Sequence, residues 1–325
     1  MAIIDGIKVK LFSLSANPEL AEEISRYSGI PISGIDLTRF ADGEIGVNVA
    51  ETVRGYHVFL VQPTHKPVNE NMMELLITID AMKRASAKSI NVIMPYYGYS
   101  RQDRKARSRQ PISAKLMANL LETAGATRVI AMDLHASQIQ GFFDIPIDNF
   151  RALPLIVDYF KQKNFEDIVI VSPDHGGAVR ARKMGDNMNC QIAIIDKRRP
   201  RANEVEVMGL VGNVKGKTAI IIDDMIDTAG SITQAAQAVL DAGAKEVYAA
   251  CTHPLLSGPA VDRINNSVLK EVICTNTIKL SDSSKSDKIV QLSIGKLLAQ
   301  GVINIIQDRP LSVLFEYTER EMDEK

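Results

Sequence analysis

The sequence predicts a parallel α/β protein built from two copies of one domain. Three observations lead there. Strand-like apolar runs alternate with helical patterns from end to end, the order that feeds parallel sheets flanked by helices. Hydrophobic residues make up 46% of the chain and aromatic residues only 5%, with no Trp. The apolar set is chiefly Ile, Val, Leu, Ala and Met, which suits buried parallel strands. Finally, one stretch occurs twice. Residues 123–135 align without gaps with residues 241–253, and six of the thirteen positions are identical.

Taken in order, strands are expected at 9–13, 58–62, 90–94, 127–132, 168–172, 191–195, 218–222, 247–250 and 272–275. Helices are expected at 18–27, 69–83, 113–123, 153–161, 178–188 and 232–241. The first helix has Asn17 as its cap and Pro18 in its first turn. The repeat extends upstream: Ser113 falls opposite Ser231, and strand 88–94 falls opposite 217–223. Helix, Gly stop and strand agree in order, which chance matching of Ala-rich text does not explain. A length of 325 residues fits two domains with ample core. They are expected at 1–149 and 150–305, with a segment of about 306–325 returning to the first.

The net charge of −1 gives no global affinity for nucleic acid. Cys190, Cys251 and Cys274 lie singly in apolar runs without metal spacing, as in a reducing compartment. No run reaches membrane-spanning length, and the first dozen residues lack a signal pattern. The expectation is a cytoplasmic protein without nucleic-acid or membrane partners.

The most informative stretch is Ile220-Ile221-Ile222-Asp223-Asp224-Met225-Ile226-Asp227-Thr228-Ala229-Gly230-Ser231. It reads as strand, loop and helix start, with two carboxylates at the strand's end. Free N–H groups at such a helix start bind anions, and small residues let a phosphate approach the backbone. The carboxylates beside it can take sugar hydroxyls or a magnesium ion. A sugar phosphate fits; an acidic loop that only caps the helix is the ordinary alternative.

The other copy differs at the same place. Its loop, 95–112, is about eleven residues longer and carries Arg101, Arg104, Lys105, Arg107 and Arg109. Basic runs are usually solvated faces. At a strand's C-terminal end a polyphosphate site becomes the stronger reading. Asp133 and His135 follow strand 127–132, two apart on extended chain, and so should emerge together at the ligand end. Phe40 offers a flat apolar face beside Asp42 and Glu44, although a core Phe near surface acids reads the same way. Asp174 precedes Gly176, Gly177 and a helix, where a capping role competes with ligand binding. Residues 197–201 put four cations in five positions directly after a strand.

The 220–231 segment resembles the phosphoribosyl-diphosphate loop of the type I phosphoribosyltransferase superfamily. Asp133-Leu134-His135-Ala136-Ser137-Gln138-Ile139-Gln140-Gly141-Phe142-Phe143 resembles the signature of ribose-phosphate diphosphokinases, which phosphoribosyltransferases lack. Phe40-Ala41-Asp42-Gly43-Glu44, Arg101-Gln102-Asp103, Ser172-Pro173-Asp174-His175-Gly176-Gly177 and Lys197-Arg198-Arg199-Pro200-Arg201 resemble further segments of that family, in its phosphate-activated bacterial-type class.

The resemblance implies two type I phosphoribosyltransferase-like domains and a synthesis of phosphoribosyl diphosphate and AMP from ATP and ribose 5-phosphate. It implies adenine recognition by Phe40, Asp42 and Glu44, and ATP contacts by Arg101 and Gln102. It puts the ribose hydroxyls on Asp223 and Asp224, and the 5-phosphate on Asp227, Thr228, Ala229, Gly230 and Ser231. It gives magnesium to His135 and Asp174 and the transition state to Lys197 and Arg199. It further implies a homo-hexamer, with phosphate and ADP as effectors at a site involving Arg54, Arg109, Gln140 and Ser312. Two departures stand out: Ser231 replaces the usual Thr, and Pro310 replaces the first of two C-terminal serines. Three rivals remain: a phosphoribosyltransferase, a noncatalytic regulatory relative and a nucleic-acid-binding regulator. The duplicated architecture, the intact 197–201 run and the near-zero charge oppose them in turn.

Overall fold

The computed structural model describes residues 2–198 and 207–314, with side chains omitted at Lys197, Arg198, Val207 and Met208. The chain divides into two compact units.

The first unit contains β1 (Ala2–Ile4), β2 (Ile7–Ser13), α1 (Pro18–Ser28), β3 (Ile35–Arg39), β4 (Ile45–Val49), β5 (His57–Val61), α2 (Val68–Arg84), β6 (Ser89–Met94), α3 (Ser113–Ala124), β7 (Arg128–Met132) and β8 (Ile147–Phe150). Its main sheet has the order β1-β2-β5-β6-β7-β8, parallel except for β1. Strand periodicity decides the two faces. Phe12, Val58, Leu60, Ile90, Val92, Val129 and Ala131 form one core with Leu75, Ile79, Met82, Met117, Ala118 and Leu121 of α2 and α3. Asn17 caps α1 as expected, accepting the Leu20 N–H at 3.2 Å.

The second unit contains α4 (Leu153–Gln162), β9 (Ile168–Ser172), α5 (Ala178–Met188), β10 (Gln191–Arg198), β11 (Val207–Val211), β12 (Thr218–Ile226), α6 (Gly230–Asp241), β13 (Glu246–Pro254), α7 (Ala260–Asn265), β14 (Leu269–Thr275) and β15 (Ile289–Leu292). The sheet order is β11-β10-β9-β12-β13-β14-β15, parallel except for β11. The chain leaves β9 outward to β10 and returns to β12 on the other side of β9. The order therefore reverses between β9 and β12, which is where open α/β sheets hold ligands. The duplicated portions, β6-α3-β7 and β12-α6-β13, keep the same element order and parallel pairing.

Four features differ from the sequence expectation. Strand β12 runs to Ile226, four residues past the expected end at Ile222, because β13 continues beside it and pairs Asp223 with Cys251 and Met225 with His253. The Asp pair thus sits inside a strand, not beyond it. Strand β10 runs to Arg198 and pairs antiparallel with β11, so Lys197 and Arg198 have ladder backbone. A two-stranded sheet, β3–β4, carries the Phe40 segment at its turn. Finally, α8 (Gly295–Ile306) packs against α1 of the first unit, and the chain returns there briefly at Thr277–Lys279 and again from Ser293, not near 306. Helix α8 buries Leu297, Leu298, Ala299, Val302 and Ile306. Gly301 has no room for a Cβ, which would meet the Phe150 ring at 2.9 Å.

Candidate functional site

The second unit builds its site around the switch point. Asp224 is 4% exposed, and a carboxylate so placed needs a partner. Arg180, from the helix after β9, supplies it. Its Nη1 lies 3.2 Å from Asp223 Oδ1 and 3.7 Å from Asp224 Oδ1. Asp223 Oδ1 also accepts the Asp224 N–H at 2.8 Å. Desolvation raises the Asp223 carboxyl to about 7, the Asp224 charge adds to this, and Arg180 opposes it. The sequence reading missed Arg180. Its signal was weak, one of several basic residues in a helix, and only the β9–β12 adjacency aims it at the pair.

Directly after β12 the chain turns through Ala229, which adopts the left-handed region at φ 59°, and enters α6 with no side-chain cap. A helix start of this kind, reached through small residues, is where backbone N–H groups bind anions. The loop is held from outside: Arg263 of α7 donates to the Thr228 carbonyl at 2.9 Å, and Ser257 donates its N–H to the Asp227 carbonyl at 2.9 Å. Arg263 is a second residue that sequence reading missed. Thr228 and Ser231 are exposed on this rim.

Asp174 follows β9 and is exposed, and its Oδ1 accepts the Gly177 N–H at 3.0 Å. The bond closes the turn just before α5, whose N-cap is Gly177 and which has no side-chain cap, and it occupies one carboxylate oxygen. His175 beside it lies 3.1 Å from Asp196. Lys197 is described in backbone only, and Arg199 lies outside the described residues.

In the first unit, the loop after β6 is buried at its start and exposed at its basic end. Tyr97 hydroxyl donates to the Ala114 carbonyl at 2.8 Å, and Gly98 donates to Thr64 Oγ1 at 2.7 Å. A Cβ at Gly98 would meet the Thr64 carbonyl oxygen at 2.5 Å, so this close crossing requires glycine. Arg101, Gln102, Arg104, Lys105, Arg107 and Arg109 are all exposed. Gln102 fastens the loop to α3: its carbonyl accepts the Ala114 N–H at 3.2 Å and its Oε1 accepts the Ser113 hydroxyl at 2.5 Å.

Asp133 and His135 do not emerge together. Asp133 has φ 34°, which breaks the extended alternation, and it is 6% exposed. Its carboxylate turns inward to Arg151 Nη1 at 3.2 Å. The next residue, Leu134, donates its N–H to Asn149 Oδ1 at 3.0 Å. His135 alone is exposed at the tip.

Phe40 is 57% exposed, so it is not a core residue. The turn is closed by Phe40 N–H to the Glu44 carbonyl and Gly43 N–H to the Phe40 carbonyl, both 2.9 Å. Glu44 N–H donates to Asp42 Oδ1 at 3.0 Å. The residues expected to regulate all lie in the first unit, where Arg54, Arg109, Gln140 and Ser312 are exposed.

Among the described residues no three His, Cys, Asp or Glu side chains gather as a metal cage. Magnesium that arrives on polyphosphate uses only one or two protein ligands, usually carboxylates, a mode of binding that the exposed Asp174 fits. Among the described residues no helix is long and apolar enough to cross a membrane.

Fold and site together define a class: doubled α/β proteins with paired carboxylates and a small-residue turn into a helix at a sheet switch point. Comparison with known proteins narrows it. Residues 9–125 match the N-terminal domain of ribose phosphate pyrophosphokinase, and residues 196–316 match the phosphoribosyl synthetase-associated domain. The chain is 62% identical over 307 residues to a ribose-phosphate pyrophosphokinase of Bacillus subtilis, covering 94% of this chain and 97% of that one. It is 60% identical over 309 residues to that of Bacillus caldolyticus, covering 95% and 98%. The phosphoribosylpyrophosphate synthetase of Mycobacterium smegmatis superposes with a TM-score of 0.89 at 42% identity, covering 93% and 99%. The chain belongs to the ribose-phosphate pyrophosphokinase family, and it is an enzyme of that type.

Proposed function

We propose that the enzyme transfers the β,γ-diphosphoryl group of ATP to the anomeric hydroxyl of ribose 5-phosphate and so feeds nucleotide biosynthesis. The hydroxyl oxygen forms a bond to the β-phosphorus and gives up its proton. The bond from that phosphorus to the α–β bridging oxygen breaks, and AMP leaves with the oxygen. One observation supports the sugar-phosphate half most directly: an uncapped helix start lies one short turn from two carboxylates gripped by Arg180.

The 5-phosphate rests on Asp227, Thr228, Ala229, Gly230 and Ser231, where backbone N–H groups face it. Asp223 and Asp224 take the ribose hydroxyls, held in place by Arg180. Phe40, Asp42 and Glu44 take adenine; Arg101 and Gln102 contact the ATP phosphate side. His135 and Asp174 would hold magnesium, which would supply charge neutralisation on the polyphosphate. Lys197 and Arg199 donate to the transition state. Such transfers need positioning and charge neutralisation more than a strong base. The buried cysteines Cys251 and Cys274, with Cys190, are all free, which accords with a cytoplasmic setting. We place phosphate and ADP as effectors and a homo-hexamer as the working form.

The test is product identity. Incubation with ATP and ribose 5-phosphate should yield AMP and phosphoribosyl diphosphate in equal amounts. ADP as the stoichiometric product would make the enzyme an ordinary kinase and sink the assignment.

A further inference from the structure

Glu74 lies in α2 and is fully buried. Burying a carboxylate is costly unless it is fully satisfied. Ser15 donates its N–H at 2.9 Å and its hydroxyl to both carboxylate oxygens at 2.8 and 2.9 Å. Gln62 Nε2 donates at 2.9 Å. These donors are neutral and come from just past the C-terminal ends of β2 and β5. A glutamine could accept their bonds. What calls for a charge is the remaining partner: Arg39 Nη2, 2.5 Å from Glu74 Oε2.

Arg39 is the last residue of β3 and directly precedes Phe40. The β3–β4 hairpin is a separate two-stranded sheet, not joined to the main one, and such hairpins hold poorly by themselves. At its entry Ser33 donates its N–H to the Leu11 carbonyl of β2 at 2.8 Å, and three further attachments fix the hairpin itself. Ile35, Leu37 and Val49 pack on the core under α2. At the open end Lys10 pairs with Glu51, the second residue after β4. At the turn end the attachment is Arg39 to Glu74. The turn is internally closed by its own hydrogen bonds, so it moves as a block. Its aim is then set by the residue at its root.

We infer that Arg39 and Glu74 are positioning residues for nucleotide recognition: the buried carboxylate clamps the guanidinium, and the clamp aims the Phe40 turn. The inference rests on the reading that this turn takes adenine. Arg39 is 39% exposed on its side chain while Glu74 is not exposed at all, the arrangement of a fixed anchor and a surface arm. The same carboxylate, through Ser15 and Gln62, ties the turn to the ligand end of the sheet. Gln62 in turn accepts the Ala16 N–H at 3.0 Å.

The experiment compares three purified variants in steady-state kinetics with ATP and ribose 5-phosphate varied separately. The double variant Arg39→Met with Glu74→Gln removes both charges at once, so no buried charge is stranded and folding is preserved. It should raise the KM for ATP roughly tenfold, the scale of one charge-assisted bond, with the KM for ribose 5-phosphate unchanged. It should also narrow the preference for ATP over GTP. Arg39→Lys should recover part of the loss. Phe40→Ala serves as the reference. If Phe40→Ala raises the ATP KM while the double variant leaves it and the ATP/GTP preference at wild-type values, the clamp has no positioning role. If both substrates' KM values rise alike, the pair serves folding only and the inference is overturned. If Phe40→Ala itself leaves ATP use intact, the adenine reading of the turn fails, and the clamp with it.

Discussion

Arg180 reaches across the β9–β12 switch point and places one guanidinium nitrogen 3.2 Å from Asp223 and 3.7 Å from Asp224. Two adjacent carboxylates repel, and burial worsens the repulsion. The shared cation is what lets the pair occupy a strand interior. It does not fully offset the burial, since the Asp223 carboxyl still rises to about 7.

That rise has a pH signature. An aspartate in an unfolded chain titrates near about 4. Between that value and the raised folded value, the folded chain keeps a proton that the unfolded chain has released. Stability therefore falls as pH rises through this window and stays lower above it. Asp223→Asn removes the titration. Its melting temperature should exceed wild type by a few degrees at about pH 8, with the gap narrowing toward about pH 5. Thermal unfolding across pH checks this; a gap that does not change with pH contradicts it.

The two units should separate their substrates. Asp224→Ala strips the sugar site of a buried acceptor and should weaken ribose 5-phosphate use by roughly 10²-fold while ATP binding persists. Arg101→Ala should do the reverse. Isothermal titration with each ligand decides, and equal damage to both ligands in both folded variants would refute the division.

Lys197 and Arg199 should act on turnover. Their Ala variants are expected to lose kcat by roughly 10³-fold or more, by analogy with arginine fingers, with little change in KM. Steady-state kinetics reads the split directly. A variant with near-normal kcat would reduce the run to a charged surface.

Regulation should be blunted. Pro310 has no N–H to offer a phosphate. Its carbonyl is already taken by Asn304 Nδ2 at 2.9 Å, and Arg309 N–H is bound to the Asn304 carbonyl at 2.8 Å. Ser312 stays exposed in the short turn that follows. ADP should therefore compete with ATP but inhibit weakly through a second site. ADP inhibition at saturating ATP with varied phosphate tests this. Strong, cooperative inhibition that ATP does not relieve would show that Pro310 is without consequence.

Local pattern by itself determined the alternation of strands and helices, the duplication, the cap at Asn17, and the loop of Asp227 to Ser231 beside its two carboxylates. Each depends on residues near one another in sequence, and periodicity and small-residue turns report such neighbours faithfully. Tertiary structure alone decided four things. Strand β12 runs through the Asp pair because β13 extends beside it. Asp133 turns inward because its backbone enters the left-handed region and Arg151 waits there. Helix α8 joins the first unit because its apolar face, Leu297, Leu298, Val302 and Ile306, is buried there and α1 packs against it. Arg180 and Arg263 become site residues, and Glu74 an anchor, because chain folding brings them to partners at least 35 positions away. Such pairings rest on contact energies between distant segments, and those leave no period in the sequence to read.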